Sequence, residues 1–252
     1  VFAGPLFNFL LAMVLGIIIV HAVGFDSPTL TDVQPGFSAE EQGMQAGDVI
    51  TKLNHEPVVV YRDITIYMML HPSDPVNVEF KRLAADGVTW EKHTVTLTPR
   101  YTDENGRYML GIVVSGRYTK AQGIGETLKY GIYEIDYSVK TTIKSLGMMI
   151  HGQVGRDDVA GPVRMVSMID ETVEETIPYG MSAVILTLVN LCMLLSANLG
   201  VMNLLPIPAL DGGRLVFLIL EVLRGRPIDK EKEGMVHMIG LLALMALMVV
   251  IM

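Results

Sequence analysis

"NLGVMNLLPIPALDGGRLVFLILEVLRG", Asn198 to Gly225, joins two apolar segments through a proline-rich break. An uncharged run enters it from Met181, and Pro206 and Pro208 then remove two backbone donors, so a continuous helix ends there. Asp211 follows at once, then Gly212-Gly213, then a second apolar helical segment to Leu223. Inside a bilayer, irregular backbone must be buried in protein or face a water-filled cavity. A carboxylate at that depth needs a cation or a proton, and a bound metal is one solution. Asp211 can instead cap the following helix at a membrane surface, where an N-terminal carboxylate is comfortable. Bare physics leaves both readings open.

The rest of the chain shows why a bilayer is the expected setting. Half of the 252 residues are hydrophobic, and the mean hydropathy is +0.42. Val1 to Gly24 and Met181 to Leu210 contain no Asp, Glu, Lys or Arg, and Met235 to Met252 holds only His237 as an ionisable group. A helix needs about 20 apolar residues to cross the hydrocarbon core. The first stretch lacks the basic region and small-residue cleavage site of a signal peptide. Buried helices of a soluble protein usually keep a polar stripe, which these do not. The chain starts without Met and stops inside an apolar run, so both ends are expected to be cut.

Charge and cysteine content exclude several classes. A net charge of −8 without a basic cluster argues against nucleic acid as a partner. Cys192, the only cysteine, lies in an apolar run, so neither a disulfide scaffold nor a cysteine metal site is formed within the chain. Arg224, Arg226, Lys230 and Lys232 make a short basic loop that favours the cytoplasmic side. One span back, the middle of the chain is then extracytoplasmic, and Asp211 falls towards the cytoplasmic leaflet.

From Asp26 onward the composition is that of a soluble α+β domain. Thr29 to Val33 reads as a strand, Ser38 as the cap of a short helix, and Ala46-Gly47-Asp48 as a turn before the strand Val49 to Asn54. Tyr61 to Leu70 has helical character and stops before Pro72. Val76, Val78 and Phe80 alternate with polar residues, Asp86-Gly87 marks a hairpin, and Thr94 to Thr98 alternates again. Tyr108 to Val114 is read as one more strand. Beyond it, Ile124, Leu128, Ile132, Ile135, Val139, Ile143, Leu146 and Ile150 recur every three or four residues, a long amphipathic helix. It is expected either to lie along the bilayer surface or to pack on the soluble domain. Ala160-Gly161-Pro162-Val163 is a turn before a further helix. Asn8, an amide in an apolar span, either staples helix packing or serves a functional site.

Two strings resemble known families. "GFSAEEQGMQAGDVITKLN", Gly36 to Asn54, is similar to the signature of bacterial PDZ domains. In their circularly permuted form the carboxylate-binding strand comes last, and "YMLGIVV" with Leu110, Gly111 and Ile112 looks like that loop. Exposed backbone N–H groups there would receive a terminal carboxylate while a free strand edge pairs with the peptide. An ordinary small domain without a ligand is the alternative. "NLLPIPALDGG" matches the Asn-x-x-Pro-x-Pro-x-Leu-Asp-Gly motif of the site-2 protease family of intramembrane zinc metalloproteases. "FAGPLFNFLLA", Phe2 to Ala12, resembles the second membrane span of its bacterial members, which also carry a PDZ domain after that span.

The resemblance implies a polytopic α-helical membrane protein with an inserted α+β PDZ-like domain. The segments are a span at 1–25, the PDZ-like domain at 26–116, an amphipathic interfacial helix and linker at 117–180, a broken span at 181–224, a basic cytoplasmic loop at 225–234 and a last span at 235–252. It implies zinc held by two histidines of an H-E-x-x-H motif, with Asp211 as the third ligand, and Asn203 holding the substrate backbone. The substrates would be single-span membrane proteins such as anti-sigma factors, cut in a bacterial inner membrane, with the PDZ domain filtering by size or by a new C-terminus. One departure stands out. No H-E-x-x-H occurs here; His55-Glu56 is followed by Pro57 and lies in a soluble turn, so it is a decoy. The motif is expected upstream of Val1, and this fragment alone is expected to be inactive. A catalytically inert PDZ adaptor and a transporter with an ion site at Asp211 are the other readings.

Overall fold

The computed structural model describes residues 2–103, 106–114, 118–152 and 162–251. Along the chain, α1 (Ala3–Ala22) precedes an α+β unit of β1 (Leu30–Val33), α2 (Ser38–Glu41), β2 (Val49–Leu53), β3 (Glu56–Pro57), α3 (Tyr61–Leu70), β4 (Val76–Leu83), β5 (Trp90–Leu97), β6 (Arg100–Thr102), β7 (Arg107–Met109) and β8 (Ile112–Val114). Then come α4 (Gly123–Ile150), α5 (Pro162–Thr176), α6 (Met181–Leu204), α7 (Asp211–Arg224) and α8 (Lys230–Ile251). Two compact units result: Val23–Ala121, and a helical unit of Val1–Ala22 with Gln122–Met252. The turn expected at Ala160–Val163 lies largely outside the described residues.

The α+β unit opens and closes at a shared point, because Phe25 and Thr119 exchange backbone hydrogen bonds at 3.0 and 2.8 Å. Its larger sheet runs β3-β2-β4-β5, all neighbours antiparallel, and β1 pairs antiparallel with β8. Alternation along β4 puts Val76, Val78 and Phe80 into a core with Leu30, Ile50, Leu53, Ile64 and Leu97. The Asp86-Gly87 hairpin closes because Asp86 accepts from the Val88 and Thr89 N–H groups and the Thr89 hydroxyl. Those bonds, the hydroxyl first, hold its carboxyl down at about 2. Asp48 is a buried staple: its carboxylate accepts from Arg82 Nε and Nη2, each at 2.7 Å, and from the Gln45 N–H. The Asp48 hydrogen bond holds the Arg82 guanidinium above its ordinary pKa.

Ser38 departs from the expectation. It is the first residue of α2, Phe37 is the N-cap, and Ser38 Oγ instead accepts the Thr98 N–H at 2.9 Å. The strand expected from Tyr108 to Val114 is also interrupted. β7 ends at Met109 and β8 begins at Ile112, because Gly111 takes φ +83° between them.

In the helical unit, α1 and α6 are long and apolar enough to cross a membrane. They pack through small residues: Ala12 meets Met193 and Ala197, and a Cβ on Gly200 would come within 2.9 Å of the Phe9 ring. Small side chains let the two helix backbones approach closely. Ser196 Oγ donates to the Asn8 carbonyl at 3.0 Å, so the staple at this position uses the Asn8 backbone.

α4 buries a mixed face: Ile135 packs against Ala12, Met193 and Ala197 beside small and polar residues. Thr127, Glu134 and Ser138 are buried, whereas Ile124, Ile132 and Ile143 stay 80%, 52% and 57% exposed. Gly131 explains the choice, since a Cβ there would lie 2.6 Å from Ile17 Cγ1 and 2.8 Å from its Cα. That mixed face therefore seats on α1. On α6, Asn198 Oδ1 accepts the Thr142 hydroxyl at 2.6 Å. Finally, α8 starts at Lys230, so the basic loop expected over 225–234 is shorter and its second half is helical.

Candidate functional site

The break between α6 and α7 follows from its prolines. Leu205, before Pro206, is extended at φ −62° and ψ 142°, as a residue preceding proline must be. The turn then folds on itself, with the Ile207 N–H donating to the Leu205 carbonyl and the Leu210 N–H to the Ile207 carbonyl. Ala209 takes φ +81°, a left-handed conformation that costs an alanine on the order of 1 kcal/mol. Gly212 and Gly213 let α7 start against the end of α6: a Cβ on the first would sit 2.1 Å from the Leu205 carbonyl oxygen, and on the second 2.5 Å from that of Ile207. No larger residue fits.

Asp211 is the first residue of α7 rather than its cap; Leu210 is the N-cap, and no side chain caps this end. Its Oδ2 lies 3.0 Å from where a Cβ on Gly4 would be. The Gly-Pro start of α1 thus leaves open the space into which the carboxylate projects. Asn203 sits half-buried in the last turn of α6, one turn ahead of the break. Among the described residues no three His, Cys, Asp or Glu side chains gather as a metal cage. Asp211 fits a dication as one hard oxygen ligand, half-buried and placed where α7's N-terminal dipole stabilises its charge. His55 lies in the β2–β3 turn and Glu56 opens β3, both exposed and both within the α+β unit.

α8 closes over this turn, a contact that spacing did not signal. The Ala209 N–H donates to His237 Nδ1 at 2.9 Å, and a Cβ on Gly240 would fall 2.5 Å from Pro208 Cβ. His237 also stands 5.7 Å, ring to ring, from Phe217 on α7.

Within the α+β unit, Leu110, Gly111 and Ile112 line a groove of 340 Å³ against Ile64, Thr65 and Met68 of α3. Asp26 fixes that helix, accepting the Arg62 N–H and Nε at 3.0 and 3.1 Å. The Leu110 carbonyl accepts from the Ala39 N–H, and the Gly111 carbonyl from the Gln34 N–H. Peptide planes are trans, so the N–H groups of Gly111 and Ile112 point the opposite way from those carbonyls. Both lie beside the apolar groove lined by Ile64 and Met68. Gly111 cannot be replaced there, because a Cβ would stand 2.1 Å from that of Phe37. β8 pairs only with β1 among the described residues, leaving its other edge open.

Comparison with known proteins adds relatives that share the whole stretch. The chain is 34% identical to the zinc metalloprotease RasP of Geobacillus kaustophilus, over 100% of its own length and 56% of that protein. It is 35% identical to the zinc metalloprotease RasP of Bacillus licheniformis, over 99% of itself and 56% of that protein. The regulator of sigma-W protease RasP of Bacillus subtilis is 33% identical over 99% of the chain and 56% of that protein. The chain thus spans little more than half the length of these curated relatives. Among solved structures, the PDZ domain of the SdrC-like protein from Listeria monocytogenes aligns with 36% of this chain and 90% of its own, at 17% identity and a TM-score of 0.31. The model of peptidase family M50 matches residues 1–247. Because that match runs from the first residue into α8 and takes in both units, the chain as a whole belongs to peptidase family M50, the site-2 protease family.

Proposed function

We propose that this chain is the larger part of an intramembrane zinc metalloprotease that cuts single-span membrane proteins of the anti-sigma type. The observation that carries the reading is Asp211, delivered by a proline-broken helix to a space kept open by Gly4 and not used as a helix cap. Asp211 supplies one zinc ligand; the others are assigned to an H-E-x-x-H motif in the whole protein. Zinc, when bound, polarises the scissile carbonyl and lowers the pKa of its water. Asn203 stands at the break, suited to hold the backbone of an unwound substrate segment. The outward apolar face of α4 faces lipid, where burying it against protein would gain nothing.

The α+β unit is read as PDZ-like. The Gly111 and Ile112 N–H groups receive a C-terminal carboxylate, Leu110 lies on the apolar floor beneath it, and the β8 edge pairs with the peptide. Placing the basic residues around Arg224 and Lys230 in the cytoplasm leaves this unit extracytoplasmic in a bacterial inner membrane, with Asp211 on the cytoplasmic side. The sigma-W regulation named for the Bacillus subtilis relative supports an anti-sigma substrate here. Asp211→Asn in the full-length protein tests the reading. Zinc content and cleavage of a membrane-embedded reporter should both be lost; cleavage at the wild-type rate removes Asp211 from the metal site.

A further inference from the structure

We infer that His237 is a positioning residue for Asp211, holding from α8 the turn that delivers the carboxylate. The inference rests on the reading of Asp211 as a metal ligand. Backbone accounting between α6 and α7 leads to it. Pro206 and Pro208 have no N–H, which leaves four donors from Leu205 to Leu210. Leu205 donates to Met202, Ile207 to Leu205 and Leu210 to Ile207, all within the local chain. The Ala209 N–H alone leaves the segment, and it goes to His237 Nδ1 at 2.9 Å. Buried backbone donors need a partner, so this bond decides which way the Ala209 peptide faces.

That peptide also carries the strained angle. Ala209 sits at φ +81° two residues before Asp211, and an alanine stays there only where its surroundings over-determine it. α8 supplies the surroundings from one face. Gly240, one turn beyond His237, meets Pro208 without a Cβ between them; a Cβ would lie 2.6 Å from the Pro208 carbonyl oxygen. The histidine cannot be a ligand through Nδ1, because that lone pair takes the Ala209 N–H. Its proton then sits on Nε2, which is buried without a hydrogen-bond partner, 3.9 Å from Glu233 Oε1. Acceptance at Nδ1 is thus the one polar bond the ring makes among the described residues.

The test uses the full-length protein in nanodiscs, with zinc retention measured against a chelator and amide exchange at Ala209 measured after zinc is stripped. Asn places its oxygen where Nδ1 stands, and Gln places its own nearer to Nε2. His237→Leu and His237→Gln should weaken zinc retention about tenfold, as loss of an orienting partner does, and should raise Ala209 exchange. His237→Asn should restore both. Wild-type zinc retention in His237→Leu, with zinc lost in Asp211→Asn, overturns the inference and leaves the metal reading standing. Wild-type retention in Asp211→Asn overturns both. Should His237→Leu fail to fold, the Asn and Gln variants decide, and equal loss in the two overturns the inference.

Discussion

Gly111→Ala, set beside Gly36→Ala, separates backbone strain from steric overlap at the proposed carboxylate seat. The two glycines share a left-handed backbone, φ +83° and +79°. Around Gly36 nothing lies within 4 Å of an added Cβ, whereas at Gly111 it would stand 2.1 Å from Phe37 Cβ and 2.8 Å from Cγ. Left-handed strain costs an alanine about 1 kcal/mol. The narrower unfolded ensemble offsets about 0.5 kcal/mol of it. Gly36→Ala should therefore lose under about 1 kcal/mol. Carbon atoms normally approach to about 3.5 Å, so at Gly111 the backbone must move by more than 1 Å, adding about 2 kcal/mol. Trp90, the only tryptophan, lies on β5 of the same unit and reports its unfolding by fluorescence in urea. With a slope near 1 kcal/mol per molar, Gly111→Ala should unfold about 2 M earlier than Gly36→Ala. It should also lose binding of peptides with a free C-terminal carboxylate, while Gly36→Ala keeps it. Coincident urea midpoints for the two variants would refute the reasoning, because the overlap with Phe37 would then not exist.

Two further outcomes concern packing. Asp48→Ala strips the carboxylate from a half-buried Arg82, which keeps only its neutral bond to the Gly43 carbonyl, at a site where the Asp48 side chain was 1% exposed. The Trp90 transition should report a loss of about 3 kcal/mol, and a loss below about 1 kcal/mol would show the pair to be incidental. Gly131→Ala drives a Cβ into the Ile17 backbone, whereas nothing lies within 4 Å of a Cβ on Gly125 of the same helix. In thermal melts of the solubilised chain, Gly131→Ala should be destabilised by about 1–3 kcal/mol and Gly125→Ala stabilised by up to about 1 kcal/mol; the opposite order would mean that α4 does not seat on α1.

What the amino-acid order decided by itself lies within a few residues of each decision. Pro206 and Pro208 end α6 wherever the chain goes, because a missing donor and a restricted neighbour are local facts. The alternation of Val76, Val78 and Phe80 and the Asp86-Gly87 hairpin are equally local, and the NLLPIPALDGG string pointed to Asp211 and to the family that the match over residues 1–247 shows. Tertiary structure decided the rest, through approaches between residues far apart in the chain. Phe37 packs against the Gly111 backbone, whose positive φ splits one expected strand in two. Gly131 lies on Ile17, which seats α4 on α1 and leaves Ile124, Ile132 and Ile143 outward. His237 accepts from Ala209, 28 residues away, and Gly4 leaves room for the Asp211 carboxylate. Periodicity reports how polarity is distributed around a helix; which face is buried depends on the size of what it meets, and that is known only once the neighbours are in place.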